Sequence, residues 1–275
     1  MMELSIIIVS HNARRDLERC LASLRQNPPS ASHEVIVVDN ASTDGSADAA
    51  AACAGVRVIR SATNAGFSAG NTVGIKASTG SNLLLLNGDT LVPARAIDRL
   101  LARLLRDPDV AVVGPRLVDL QGRAELSFGP MITPLNEWRQ GRLTRGLARN
   151  DPAVVAQVEA MTREEHRPDW VTGACLLVRR ADAEAVGLLD ERYFMYTEDV
   201  DFCAAIRARG RHIDFAPEVQ VTHLRGRSAA SAVSATRRAY ERSHLAFYRK
   251  HHPLIVPLLR LFRWLGALRH NPERG

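Results

Sequence analysis

The sequence predicts an α/β fold: a Rossmann-like, mostly parallel central sheet with helices on both faces, followed by a less regular C-terminal region. Two observations predict it. Over the first 120 residues, short β-rich runs alternate with stretches of helical length, the order of a βαβ chain. The β-rich runs are apolar throughout instead of at every second residue, as strands are when helices cover both faces of their sheet. At 275 residues and 46% hydrophobic content the chain can bury one large core.

The elements follow in order. LSIIIV (4–9) is the first strand, with a helix near 14–26; EVIVVD (34–39) is the second, with a helix near 45–54. VRVIR (56–60) precedes a helix near 66–79, NLLLL (82–86) precedes one near 93–106, and VAVVG (110–114) closes the series. From Phe128 to Asp169 the pattern is lost among Pro130, Pro134, Pro152 and Pro168 and basic stretches such as RQGRLTRGLAR, which reads as a loop or mobile helical insert. WVTGACLLVRR is a strand, and a short helix starts at Ala181. In YFMYTEDVDFCAAIRARG a helix carries Phe202, Ala204, Ala205 and Ile206 on its apolar stripe and ends at Gly210. RHIDFAP and EVQVTHL read as two more strands, and a helix from about Ser231 to Lys250 completes the domain. Residues 1–120 and 121–250 are thus two halves of one domain, and 251–275 form a tail.

Lys and Arg number 36 against 30 Asp and Glu, and the net charge of +6 favours anionic partners. With 5% aromatic residues and no recognisable module, nucleic acid is not among them. Cys20, Cys53, Cys175 and Cys203 are far apart with no C-x-x-C pair, which suits buried thiols in a reducing cytoplasm. MMELSIIIVSHN has neither the basic start nor the long apolar run of a signal peptide, and no stretch reaches the roughly 18 apolar residues of a membrane span.

In parallel sheets, ligands collect beyond the carboxyl ends of the strands. Those positions carry Ser10, His11 and Asn12 after the first strand, Asp39, Asn40 and Ser42 after the second, and Asn87, Gly88 and Asp89 after the fourth. Singly, each suits a helix cap or turn; together they line one sheet edge and point to a site.

Asp89 ends LLLLNGD, where a rigid strand can hold a carboxylate for a divalent cation that takes its other ligands from water and substrate phosphate; the plain alternative is a turn. TEDVD places Glu198, Asp199 and Asp201 within four positions. Either Thr197 caps a helix whose dipole the acids complement, or the carboxylates raise each other's pKa and one serves as a general base. His223 lies at a strand end before a loop bearing Arg225 and Arg227. It is either a metal ligand with phosphate-binding arginines nearby or plain surface.

Taken in order, VSHN, VVDNASTDGS, NAGFSAGN, LLLLNGDT, DWVTGACLLVRR, GLLDERYFMYTEDVDFCAAIRARG and VTHLRGRS resemble the inverting family 2 glycosyltransferases of GT-A fold, rhamnosyltransferase-like members in particular. The resemblance covers about residues 3–250 and makes 1–120 the nucleotide-sugar-binding half and 121–250 the acceptor-binding and catalytic half. It implies that Asp39, Ser10 and Asn12 bind the nucleotide base, that Asn64, Gly70 and Asn71 close over the nucleoside, and that Asn87-Gly88-Asp89 is the D-x-D element. Asp89 and His223 would then hold Mn²⁺ or Mg²⁺ on the donor diphosphate, assisted by Arg225 and Arg227. Trp170, Gly173 and Glu198 would lie where donor sugar and acceptor are held, with Asp199 as catalytic base. Asn87 departs from the pattern by replacing the first aspartate, and a ribose contact suits it better than a metal bond. The implied partners are a nucleotide-diphosphate sugar and a cell-wall, lipid-linked or surface polysaccharide acceptor.

A non-catalytic nucleotide-sugar or glycan-binding protein of the same fold is the alternative, and the presence of Asp89, Asp199 and His223 argues against it. A Rossmann oxidoreductase or a nucleotidyltransferase would need a glycine-rich loop after the first strand, where VSHNAR has no glycine. In the tail, a helix from Pro257 would put Leu258, Leu261, Phe262, Leu265 and Leu268 on one face, with Arg260, Arg263, Arg269 and His270 mostly off it. Such a helix either lies on an anionic membrane, making the protein peripheral on the inner face of the cell membrane through 254–270, or docks on protein.

Overall fold

The computed structural model describes residues 2–224 and 233–261, the side chains of 233–237 excepted. Its first half alternates as expected: β1 (Leu4–Ser10), α1 (Arg14–Gln26), β2 (His33–Asp39), α2 (Ser46–Ala51), β3 (Val56–Arg60), α3 (Gly66–Ala77) and β4 (Asn82–Asn87). There follow β5 (Thr90–Leu91), α4 (Ala96–Arg106), β6 (Val110–Val118), β7 (Phe128–Gly129), α5 (Pro134–Ala148) and α6 (Pro152–Met161). The named elements continue with β8 (Trp170–Val171), β9 (Cys175–Arg179), α7 (Arg180–Ala185), α8 (Glu198–Ala208), β10 (His212–His223) and α9 (Val233–His251), then a short 3-10 turn followed by helical residues to 261.

The main sheet has the order β3-β2-β1-β4-β9-β6-β10-β5. β1 to β4 are parallel neighbours, and β6 with β10 forms a second parallel pair; β9 runs antiparallel between β4 and β6. The unbroken apolar runs arise because alternate residues serve opposite cores. Ile6, Ile8, Leu84 and Leu86 pack with Leu17, Leu21, Leu100 and Leu104 on one side; Ile7, Leu83 and Leu85 pack with Ile75, Phe202 and Ile206 on the other. Truncating any of these leucines to alanine would cost about 2–5 kcal/mol.

Of the two alternatives for the insert at 128–169 the helical one holds: two helices follow the short β7, because Pro134 and Pro152 sit at the first helical turn, where a missing N–H costs nothing, and Thr133 and Asp151 cap them. Three expectations are corrected. WVTGACLLVRR is two strands interrupted at 172–174. RHIDFAP and EVQVTHL are one strand, β10, whose register shifts between Ala216 and Gln220. The helix expected from Pro93 starts at Ala96, because Arg95 before it is left-handed, with φ 62°. All four cysteines are free thiols, three buried and Cys53 half-buried. Among the described residues no helix is long and apolar enough to cross a membrane. Phe262, Arg263, Leu265, Leu268, Arg269 and His270 of the expected tail helix lie outside the described residues.

Candidate active site

Strand register assembles the first wall of the site. Ser10 stands opposite Asp39, and Val9 opposite Asn87, so the three polar clusters share one sheet edge. Asp39 is buried; its Oδ2 accepts from the Ser42 amide at 3.0 Å, while Oδ1 and the Ser10 hydroxyl have no partner. Asn40 donates from Nδ2 to the Gly66 carbonyl at 2.8 Å and leaves its Oδ1 equally unpartnered. Buried polar atoms without partners cost free energy, so a cluster of them is a candidate place for a polar ligand or water to complete the bonding.

The surrounding residues order the loops around this cluster. Asn12 takes a left-handed conformation, φ 50°, and its carboxamide oxygen accepts from the Thr43 amide at 2.8 Å, tying the loop after β1 to the loop after β2. Asn64 accepts from the Gly66 amide at 3.1 Å and starts α3. Gly70 lets α3 approach β1, since a Cβ there would stand 2.7 Å from Val9 Cγ1. Asn71 donates to the Phe67 carbonyl at 2.9 Å and buries an unpartnered Oδ1.

The second feature is an acidic clasp around an imidazole. β5 pairs with the end of β10, Thr90 opposite His223, and the Leu224 amide donates to the Asp89 carbonyl at 2.7 Å. This pairing brings the His223 Nε2 to 3.3 Å from Asp89 Oδ1, while Nδ1 lies 3.0 Å from Glu125 Oε2. Burial works against a charged ring, but the hydrogen bonds and charges of Asp89 and Glu125 outweigh it and raise the His223 pKa to about 9.

The pair fits a divalent cation. Oxygen and nitrogen ligands at about 2.1 Å from one ion stand about 3 Å apart, close to the Asp89–His223 separation. Among the described residues no three His, Cys, Asp or Glu side chains form a group that could hold a metal ion. Asn87 ends β4 next to them, its amide donating to the Ala174 carbonyl at 2.9 Å.

The third feature is Glu198-Asp199. Tyr196 and Thr197 enter α8 with φ of 70° and 64°, two successive left-handed residues that are not glycine, a strained arrangement held by the packing around it. Thr197 is therefore not the expected side-chain cap; its hydroxyl donates to the Tyr196 carbonyl at 2.6 Å. Asp199 accepts from the Gly173 amide through Oδ2 and from the Val200 amide through Oδ1, each at 2.9 Å. Burial raises its pKa against the effect of those bonds. Glu198 is more deeply buried, its Oε2 has no partner, and desolvation with the Asp199 charge pushes its pKa well up.

A family model described as glycosyl transferase family 2 matches residues 5–166, which carry the first sheet edge, Asp89 and Glu125. The chain belongs to glycosyl transferase family 2. Over 264 residues it is 28% identical to a Mycobacterium tuberculosis N-acetylglucosaminyl-diphospho-decaprenol L-rhamnosyltransferase, covering 90% of this chain and 85% of that one. It is 27% identical to the low-salt glycan biosynthesis hexosyltransferase Agl10 of Haloferax volcanii, covering 80% and 67%. Among solved structures, a Pyrobaculum calidifontis mannosyltransferase in complex with GDP-Man and Mn²⁺ superposes with a TM-score of 0.63 at 18% identity over 94% of this chain and 68% of that one. GalNAc-T7 with UDP, GalNAc and Mn²⁺ gives 0.60 at 18% identity over 82% of this chain, which spans 44% of that protein. The GT-A fold expected from the motifs is thus the fold of this chain.

Two features of this glycosyltransferase were not read from the sequence. Glu125 sits in the loop after β6, 98 positions from the histidine it holds, with no motif around it. Gly173-Ala174 links the two walls: Gly173 holds Asp199 while Ala174 accepts from Asn87. Asp201, grouped with Glu198 and Asp199 by spacing, turns away and receives hydrogen bonds from Tyr193, Lys250 and His251, fixing α9 to α8. Trp170 donates to the Pro130 carbonyl at 2.9 Å. Arg225 and Arg227 lie outside the described residues.

Proposed function

We propose that this glycosyltransferase is an inverting, divalent-metal-dependent enzyme that moves a sugar from a nucleotide diphosphate to a cell-wall, lipid-linked or surface polysaccharide acceptor, with L-rhamnose from dTDP-rhamnose as the donor. The observation that carries the reading is the Gly173-Ala174 bridge, which couples the Asn87-Gly88-Asp89 turn to Asp199 through hydrogen bonds of 2.9 Å on either side. The name of the mycobacterial relative supports rhamnose and a lipid-linked acceptor.

In this mechanism the unpartnered oxygens of Ser10 and Asp39 receive the base, with Asn12, Asn64, Gly70 and Asn71 closing the nucleoside pocket and Asn87 contacting the ribose. Asp89 and His223 would hold Mn²⁺ or Mg²⁺, which when bound neutralises charge on the diphosphate. Arg225 and Arg227 serve the same diphosphate, and Trp170, Gly173 and Glu198 shape the space for donor sugar and acceptor. Asp199, its pKa raised by burial, takes the proton of an acceptor hydroxyl. The hydroxyl oxygen bonds to the anomeric carbon as the bond from that carbon to the diphosphate oxygen breaks, its electron pair leaving with the diphosphate. A single displacement from the opposite face inverts the anomeric centre.

The test is a thermal-shift screen of nucleotide sugars with and without Mn²⁺. The expected result is a rise in Tm with dTDP-rhamnose that depends on the metal. A larger shift with a UDP-hexose would replace the donor, and no shift with any nucleotide diphosphate sugar would overturn the reading.

A further inference from the structure

Helix α5 buries none of its residues fully. Its exposed Leu135, Trp138, Arg142 and Arg145, together with Arg149 at its C-terminal end, recur at three- and four-residue intervals and form one stripe. Leu135 and Trp138 are each 56% exposed, and the Arg142 guanidinium lies 5.2 Å from the centre of the Trp138 ring. The one acid of the helix, Glu137, faces inward, where it pairs with His244 and accepts from the Tyr248 hydroxyl at 2.6 Å. The outer stripe therefore carries leucine, tryptophan and arginine and no acid of its own.

A second exposed stripe lies on the segment that docks against the chain just before α5. His252 donates to the Ile132 carbonyl at 2.9 Å, and Ile255, Val256 and Leu259 pack with Met131 and Ile132 against Phe247 and Tyr248. That docking turns Leu254, Leu258 and Leu261 outward, 94%, 67% and 51% exposed. Trp170, proposed above to shape the space for donor sugar and acceptor, packs in the same cluster.

We propose that these two stripes form a docking face for an anionic lipid bilayer, with Trp138 and the three leucines at the acyl boundary and Arg142, Arg145 and Arg149 on headgroup phosphates. Trp beside Arg, with leucines projecting from an adjacent segment, is the composition that suits the interface between headgroups and chains. A second copy of this chain fits less well, because a two-fold contact would set the arginine stripe against itself. The face flanks Trp170, so an acceptor held in the bilayer by a lipid would present its sugar at the cleft. That consequence rests on the proposed lipid-linked acceptor, whereas the docking itself does not.

The test is co-sedimentation of the full chain with vesicles of phosphatidylcholine alone or mixed with phosphatidylglycerol, and no acceptor present. Binding to the anionic vesicles that weakens with salt is expected. Arg142→Glu with Arg145→Glu and Arg149→Glu should weaken it by about a hundredfold. Leu254→Ser with Leu258→Ser should weaken it by about tenfold and leave the salt dependence in place. Nucleotide-sugar binding and melting temperature should stay at wild-type values in both variants, which separates a lost docking face from a damaged protein. Wild-type binding to vesicles by the arginine variant, or no binding by the wild-type chain, overturns the proposal. So does sedimentation velocity showing a dimer that the arginine substitutions disperse. Failure of the nucleotide-sugar screen would leave vesicle binding intact, so the two readings fail separately.

Discussion

The two acidic centres of the site surround similar carboxylates with different partners. Asp89 and Glu125 clasp His223 between them and raise its pKa to about 9, so a metal taken up at His223 would first have to displace the ring proton. Glu198 and Asp199 have no such partner among the described residues; burial pushes both pKa values up, and the Asp199 charge adds to the rise at Glu198. In the proposed mechanism the first centre would hold a cation and the second a proton. A displacement that expels a diphosphate while deprotonating a hydroxyl needs both, at separate places.

The sharpest way to break this contrast is Asp199→Asn, which keeps the size of the side chain and removes its basicity. Turnover should fall by about 10²- to 10⁴-fold with nucleotide-sugar affinity nearly unchanged. Near-normal turnover would remove the proton-holding role from this centre. Asp89→Ala attacks the other side: in calorimetric titrations of the nucleotide diphosphate, the gain in affinity given by Mn²⁺ should disappear, a loss of about a hundredfold. Equal titrations of wild type and variant with the metal would mean that the clasp holds only its histidine.

Glu125→Gln is a subtler probe, because Gln still reaches His223 but carries no charge to hold the ring. Mn²⁺ affinity, read by the loss of the free-ion electron paramagnetic resonance signal, should weaken by about tenfold. An unchanged affinity would reduce Glu125 to packing.

These residues differ in how plainly the chain announces them. Asp39 and Asp89 follow apolar runs that can only be strands, so their common edge is legible from spacing, and the register of β1 with β2 and β4 bears it out. The antiparallel insertion of β9 is not legible, because CLLVR looks the same whichever way it runs. β5 is only two residues long, yet it places His223, and no propensity identifies so short a pairing. The caps of α5 and α6 were present in the sequence as Thr133-Pro134 and Asp151-Pro152, and proline read as a breaker conceals them. Glu125 had no local signal, since its meaning depends on a histidine 98 positions away.

The smallest expected effect tests the desolvated centre through stability. Glu198 has a folded pKa raised well above its ordinary value of 4.5, chiefly by burial. The unfolded chain therefore gives up the proton first, and the stability this group contributes is complete below about pH 4.5 and is lost as pH rises through the folded pKa. Glu198→Gln keeps the shape and removes the ionisation. Its melting temperature should exceed that of wild type by a few degrees at pH 8, since about 1 kcal/mol moves Tm by roughly 2–4 °C in a chain of this size. Near pH 4.5 the gap should close, because the wild-type carboxyl is then protonated in the fold and costs nothing extra. A gap of the same size at both pH values would mean that Glu198 does not ionise against its surroundings. The second centre would then owe its character to Asp199 alone.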